Sequence, residues 1–315
     1  MRASAGYMNV ELFDERMGLK FPMELMYPSG SPERLEKLGP YAGHVACKGE
    51  IAARNSPLIV ISHGSGGSHL AYRTLAAHLA HHGFVVAMLE HPRNNRNNNE
   101  LAGTAENLEN RPRHLRLAID WAFTSAQFGS RLRANAVAVI GHSLGGYTAL
   151  ALAGGLPTAF GHETPDNRPR PVAVESDARV KALVLLAPAT AWFMAPCALR
   201  GVKAPILLWT AEHDSWTPGF HGDLIKAGVA AQDQVEHRIA KGGGHFAFLS
   251  PFPEAMRSPA FAPSQDPAGF DRALFHEELN RGVLEFLTRQ FNAATDSRSA
   301  GREAGRRPSA NSETQ

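Results

Sequence analysis

Residues 136–152 read Ala-Val-Ala-Val-Ile-Gly-His-Ser-Leu-Gly-Gly-Tyr-Thr-Ala-Leu-Ala-Leu. An apolar run, Ala136 to Ile140, meets Gly141-His142-Ser143-Leu144-Gly145-Gly146 and then an alanine- and leucine-rich stretch with helical character. The order is strand, tight turn, helix, with a serine at the apex. A serine hydroxyl attacks a carbonyl only when a base takes its proton, and a sharp turn with small neighbours exposes it to both base and substrate. Gly141 and Gly145 supply the small neighbours. The N–H of Leu144, opening the helix, would point to where an oxyanion develops, with the helix dipole behind it. With 29 glycines in the chain, a Gly-x-Ser-x-Gly match by chance is not rare, so its surroundings must carry the assignment.

Working outward, continuous apolar runs alternate with helical spacings. Leu58 to Ser62 reads as a buried strand, Tyr72 to His81 as a helix stopped by Gly83, and Phe84 to Leu89 as the next strand. Arg113 to Phe128 has helical periodicity, and the helix after the serine spans Leu144 to Ala153. Val180 to Leu186, Pro205 to Trp209 and Val235 to Ile239 are strands, Phe220 to Ala227 is a helix, and Arg272 to Phe291 closes the domain. Before them, Val10 to Phe13 and Met23 to Tyr27 suggest short edge strands, and an irregular Gly- and Pro-containing segment runs on to Pro57. This predicts a single α/β domain over 1–291, with a mostly parallel central sheet and helices on both faces, in which 1–56 is edge strands plus irregular segment. Beyond it, 292–315 is poor in apolar residues and reads as a disordered tail. Three loops stand outside the alternation: the polar Asn94 to Asn99, the Pro-rich Leu156 to Asp177, and the Pro-rich Ser250 to Asp266, whose phenylalanines suit a roof over a site.

Composition narrows the function. Lys and Arg total 32 against 30 Asp and Glu, for a net charge of +2, and no long run of either sign offers a footprint for nucleic acid or an anionic membrane. The N-terminus lacks an apolar signal core, and no apolar stretch reaches membrane-span length, so a cytoplasmic protein is expected. Cys47 and Cys197 are the only cysteines. Two are too few for a disulfide framework; reduced thiols are expected, with one bridge left open. No metal-ligand spacing, phosphate loop or dinucleotide fingerprint is present, so neither a metal nor a cofactor is expected.

Parallel sheets place ligands at the carboxyl ends of their strands, and three other strand ends carry the residue types that a serine nucleophile needs. His63-Gly64-Ser65-Gly66-Gly67 follows the strand ending at Ser62, where the N–H of Ser65 would be a second oxyanion donor. Ala211-Glu212-His213-Asp214 follows Trp209, and Lys241-Gly242-Gly243-Gly244-His245-Phe246 follows Ile239. The chain order is Ser143, Asp214, His245, that of an α/β-hydrolase triad. Glu212 is a rival for the acid, while His213, adjacent in sequence to Asp214, is a poor base. His63 and His142 read as braces of their turns, and Glu90 and His91 as a structural link at another strand end. Trp192, Phe193 and Met194 follow the strand ending at Leu186, where either an acyl pocket or core packing accounts for them.

With these motifs in order, the chain resembles α/β-hydrolases of the dienelactone-hydrolase-like group. Its segment PLIVISHGSGGSHLAYRTLAAHLAHHGFVVAMLEHP, residues 57–92, together with GHSLGG, is also similar to bacterial relatives of platelet-activating-factor acetylhydrolases and to polyester-cleaving cutinases. The resemblance spans most of Pro57 to Phe291. It implies Ser143 as nucleophile, His245 as base, Asp214 as the acid that orients it, and the N–H groups of Ser65 and Leu144 as oxyanion hole, with Trp192, Phe193 and Phe246 near the substrate. Dienelactone hydrolase itself uses cysteine where this chain has Ser143, which argues against a dienelactone substrate. The expectation is a serine hydrolase cleaving a small-molecule carboxylic ester through an acyl-enzyme. Amide or peptide cleavage and acyl transfer use the same triad and stand as alternatives, and a non-catalytic binding protein is a more distant one.

Overall fold

A computed structural model describes residues 3–304, with side chains as far as 292. In chain order the elements are β1 (Ser4–Asp14), β2 (Leu19–Ser29), β3 (Arg34–Leu38), β4 (Tyr41–Cys47), β5 (Ser56–Ser62), α1 (Arg73–His81), β6 (Val85–Leu89), α2 (Ala105–Thr124), β7 (Leu132–His142), α3 (Leu144–Leu152), β8 (Thr158–Ala159), β9 (Arg170–Pro171), β10 (Val180–Leu186), β11 (Ile206–Ala211), α4 (Phe220–Gly228), β12 (Val235–Ala240) and α5 (Arg272–Ala304). Ten strands form one sheet in the order β12-β11-β10-β7-β5-β6-β2-β1-β4-β3, and β8 pairs with β9 apart from it. From β12 to β6 every neighbour is parallel. β2 then runs antiparallel to β6, and β1 antiparallel to β2. This is the mostly parallel sheet that the alternation predicts, in the α/β-hydrolase architecture that the resemblance implies.

The alternating side chains of β5 explain the layers. Leu58 and Val60 enter a core shared with Leu115 of α2, Tyr147 and Leu150 of α3 and Ile225 of α4. Ile59 and Ile61 point to the opposite core, with Leu75 and Leu79 of α1 and Leu279 and Val283 of α5. A strand buried on both faces has no polar side to show, so it reads as an unbroken apolar run. From β5 the chain passes through α1 to β6 on one flank, then through α2 to β7 on the other. The carboxyl ends of β5 and β7 therefore flank the point where the strand order reverses, the usual place for a ligand crevice.

Several boundaries differ from expectation. The N-terminal strands are an eleven-residue antiparallel pair, and the segment expected to be irregular contains the β3/β4 hairpin. Its outer strand carries Arg34, Glu36 and Lys37, charges that protect an open sheet edge from pairing with other chains and that hide its strand character from a search for apolar runs. The closing helix continues past Phe291 to Ala304, and residues 305–315 of the segment read as a tail lie outside the described residues. Cys47 and Cys197 are both exposed and unbridged. Among the described residues, no helix is long and apolar enough to cross a membrane.

The largest correction concerns α2, which begins at Ala105, eight residues before the expected start, and holds Pro112 inside. Thr104 caps it by accepting the N–H of Asn107. Proline has no N–H for the carbonyl four residues back, which here belongs to Leu108, and that carbonyl accepts the hydroxyl of Tyr147 at 3.0 Å. A side chain of α3 thus satisfies what the proline leaves open. Tyr147→Phe should cost about 1–3 kcal/mol in urea unfolding, the penalty of a buried carbonyl without a donor, and Pro112→Ala in the same chain should recover part of it. An unchanged midpoint in Tyr147→Phe would mean that the carbonyl is satisfied some other way.

Candidate active site

The turn after β7 is built by close approach. A Cβ on Gly145 would lie 2.0 Å from the carbonyl oxygen of Ser62, and one on Gly141 would lie 2.1 Å from that of Gly145, so only glycine lets α3 leave so near β5. Ser143 itself has φ 53° and ψ −120°, a strained conformation for a side-chain-bearing residue. Two hydrogen bonds fix it: its N–H donates to Leu186 at 3.0 Å, and its carbonyl accepts from Ala189 at 2.9 Å. The hydroxyl is thereby presented at the apex of a braced turn. Leu144 is the first residue of α3, so its N–H has no acceptor within the helix.

The acid and the imidazole come from the ends of β11 and β12. Asp214 Oδ2 accepts from His245 Nδ1 at 2.8 Å, with both side chains nearly buried. Its Oδ1 accepts the N–H groups of Trp216, at 2.8 Å, and Thr217, at 2.9 Å. The Thr217 hydroxyl lies 2.7 Å from Asp214 Oδ2 and 3.0 Å from the Ala187 carbonyl, and it is 3.3 Å from His245 Nδ1. Glu212 points elsewhere, its Oε2 accepting from the N–H of Gly242 at 2.8 Å and so bracing the glycine loop that carries His245. His213 is exposed.

Burial pushes the Asp214 carboxyl up, but the His245 hydrogen bond and charge and the Thr217 donors outweigh it and hold the pKa at about 2, against an ordinary 3.8. A depressed carboxyl contributes stability that is complete above its unfolded pKa and is lost as pH falls through the folded one. Between about pH 4 and about pH 2, wild type should therefore lose about 2 kcal/mol of stability relative to Asp214→Asn. Parallel urea titrations of the two proteins at stepped pH measure it; curves that stay parallel through that window would mean that the carboxylate is not so stabilised.

The neighbouring histidines are braces. His142 Nε2 is 3.0 Å from the His245 carbonyl and donates to it, and burial, followed by the nearness of His245, holds its pKa down at about 3. His63 Nδ1 donates to the Gly64 carbonyl at 2.7 Å, while its Nε2 accepts the N–H of His91 at 3.0 Å. Burial, then Arg111, keeps that ring well below the usual histidine range. Glu90 lies 3.3 Å from His69, as a structural link.

Ser143, His245 and Ser65 line one cavity of about 320 Å³. Its walls are largely aromatic and apolar: Phe246, then Phe252 and Phe261 from the loop whose phenylalanines suggested a roof, and Tyr41, Tyr72 and Trp216, which sequence reasoning did not place at the site. Trp216 is 67% exposed and stacks on the His245 ring at 6.0 Å. The Ser250 to Asp266 loop borders the cavity through Phe252, Phe261, Ala262 and Pro263. Trp192 and Phe193 do not line it. Both pack on Tyr147, and the Trp192 Nε1 donates to Glu163, so the aromatic cluster after β10 belongs to the packing around α3. Thr217 also escaped the sequence reading, although its place three residues after Asp214 is that of a hydroxyl closing a carboxylate turn.

Residues 44–113 match the family model described as platelet-activating factor acetylhydrolase, isoform II. That stretch includes the Ser65 loop and stops short of Ser143, Asp214 and His245. Among solved structures, a ferulic acid esterase from Streptomyces cinnamoneus superposes with a TM-score of 0.66 over 92% of this chain and 91% of its own, at 20% sequence identity. No curated protein matches the sequence significantly. Sheet order and the structural match thus give this chain the α/β-hydrolase fold, and its segment 44–113 is similar to the platelet-activating factor acetylhydrolase isoform II family.

Proposed function

We propose that this α/β-hydrolase is a serine carboxylic-ester hydrolase that works through an acyl-enzyme. His245 Nε2 takes the Ser143 proton as Oγ attacks the ester carbonyl, and the N–H groups of Ser65 and Leu144 hold the oxyanion. The protonated imidazole, steadied by Asp214, returns the proton to the leaving alcohol. Water, activated by the same imidazole, then releases the acid and restores Ser143. The observation that carries this reading is the 2.8 Å Asp214–His245 pair, with His245 opening onto the same cavity as the strained Ser143. The names of the matched family and of the structural neighbour, an acetylhydrolase and an esterase, point to the same reaction. The apolar, aromatic wall suits small- or medium-sized acyl groups rather than charged ones.

Hydrolysis of p-nitrophenyl esters from acetate to long acyl chains tests it. Turnover should be highest for acyl groups that the cavity holds and should fall for longer ones. A folded protein that is inactive on every ester of the series would overturn the assignment. Added alcohol or amine acceptors, with product analysis, separate hydrolysis from acyl transfer.

A further inference from the structure

Arg111 is wholly buried, on α2 behind the turns that carry both oxyanion donors. Its Nη2 donates to the carbonyl of His63 and, at 3.3 Å, to Ser62 Oγ; its Nη1 donates to Asn94 Oδ1 at 2.5 Å; its Nε donates to Thr148 Oγ1 at 3.0 Å. All of these acceptors are neutral. Two of them lead to the oxyanion donors. Asn94 passes the link on by donating from Nδ2 to Ser65 Oγ at 3.1 Å, so the loop His63 to Ser65 is gripped at both ends. Thr148 passes it the other way, its hydroxyl donating to the Leu144 carbonyl at 2.9 Å, in the first turn of α3.

A buried cation without a contacting carboxylate is costly, and the fold answers with a polarised hydrogen-bond chain. Asp14 lies at the end of β1 with its carboxyl held well below the usual range, burial being outweighed by its bonds from His114 and Arg113. It accepts from His114 Nε2 at 3.1 Å. Burial keeps His114 and His91 neutral, so the donor roles follow from one another. His91 Nδ1 donates to His114 Nδ1 at 3.3 Å, Ser62 Oγ donates to His91 Nε2 at 2.8 Å, and Arg111 donates to Ser62. Every dipole is aligned from guanidinium to carboxylate.

We propose that Arg111 is the positioning residue of the oxyanion hole, one planar fork that sets the Ser65 and Leu144 N–H groups relative to each other. This rests on the acyl-enzyme reading. A donor that moves by a fraction of an ångström loses its grip on the tetrahedral intermediate, while ground-state binding in the cavity is little altered.

The test is steady-state kinetics on a p-nitrophenyl ester, together with affinity for an alkylboronic acid, which forms a tetrahedral adduct on the serine. Arg111→Met should lower kcat by about 10²-fold, the scale of losing one donor, with KM within about threefold and boronate affinity falling in step with kcat. Lysine keeps the charge without the fork, so Arg111→Lys should not restore the rate. Because Arg111 variants could fail to fold, Asn94→Ala and Thr148→Val each cut one arm, and each should cost about tenfold in kcat and in boronate affinity. Folded variants with kcat within twofold of wild type, or with the loss confined to KM, would overturn the assignment. Ser143→Ala, run in parallel, separates the two readings. Activity that survives there removes the nucleophile reading and this proposal with it, whereas activity lost there but kept in the Arg111, Asn94 and Thr148 variants removes the positioning role alone.

Discussion

Ser143→Ala should lower kcat on a p-nitrophenyl ester by about 10⁵-fold, leaving only what the oxyanion donors and the cavity contribute without a nucleophile. The size follows from the chemistry of the turn. Alanine keeps the methylene and the braces from Leu186 and Ala189 but removes the oxygen that the proposed acyl-enzyme requires. KM should change little and the fold should hold, since the hydroxyl contributes little to packing. Mass spectrometry after exposure to a fluorophosphonate gives an independent reading: the adduct should map to Ser143 in wild type and be missing in the variant. Substantial activity in folded Ser143→Ala would mean that another group attacks.

Asp214→Asn should cost about 10⁴-fold in kcat with little change in size or packing. The carboxylate accepts from His245 Nδ1, which places the imidazole proton on that nitrogen and leaves Nε2 free to take the serine proton. An asparagine can turn its NH2 toward Nδ1, and the ring then carries its proton on Nε2, where it cannot act as base. It also removes the negative charge that steadies the imidazolium formed during attack. The turn should survive, since the asparagine carbonyl can still accept the N–H groups of Trp216 and Thr217. A loss of less than tenfold would show that the tautomer is set elsewhere, with the Thr217 hydroxyl, 3.3 Å from Nδ1, as the remaining partner.

The inner strands of the parallel half of the sheet were legible because they are buried on both faces, which makes Leu58 to Ile61 and Ala182 to Leu186 unbroken apolar runs. The candidates Ser143 and Asp214 were legible for a related reason, each following an apolar strand on a turn of small or clustered polar residues, whereas His245 follows the charged edge strand β12 and was marked by its three preceding glycines. The β3/β4 hairpin was not, because an edge strand is defended by charge, so Arg34 to Leu38 carries no apolar signature. The start of α2 was hidden by Pro112, which local rules read as a helix boundary; only Tyr147, 35 residues later in the chain, supplies the donor that lets the helix run through it. The cavity wall is a tertiary fact. Tyr41, Tyr72, Trp216 and Phe252 meet from four separate segments, while Trp192 and Phe193, for which acyl pocket and core packing stood equally open, pack on Tyr147 of α3. Arg111 looked like one more basic residue on a helix until its four acceptors were in view.

Tyr41 opens β4, in the hairpin at the far edge of the sheet from His245, and the Arg73 guanidinium sits 3.8 Å above its ring. One wall of the cavity thus comes from the part of the chain that carries none of the proposed chemistry. A wall residue so distant in sequence from the proposed triad means that substitution at Tyr41 can reshape the cavity while leaving Ser143, Asp214 and His245 untouched. A chain starting at β5 would keep Ser143, Asp214 and His245 in its sequence and still lose Tyr41 from the cavity wall, along with Asp14, which pairs with Arg113 and ends the hydrogen-bond chain from Arg111.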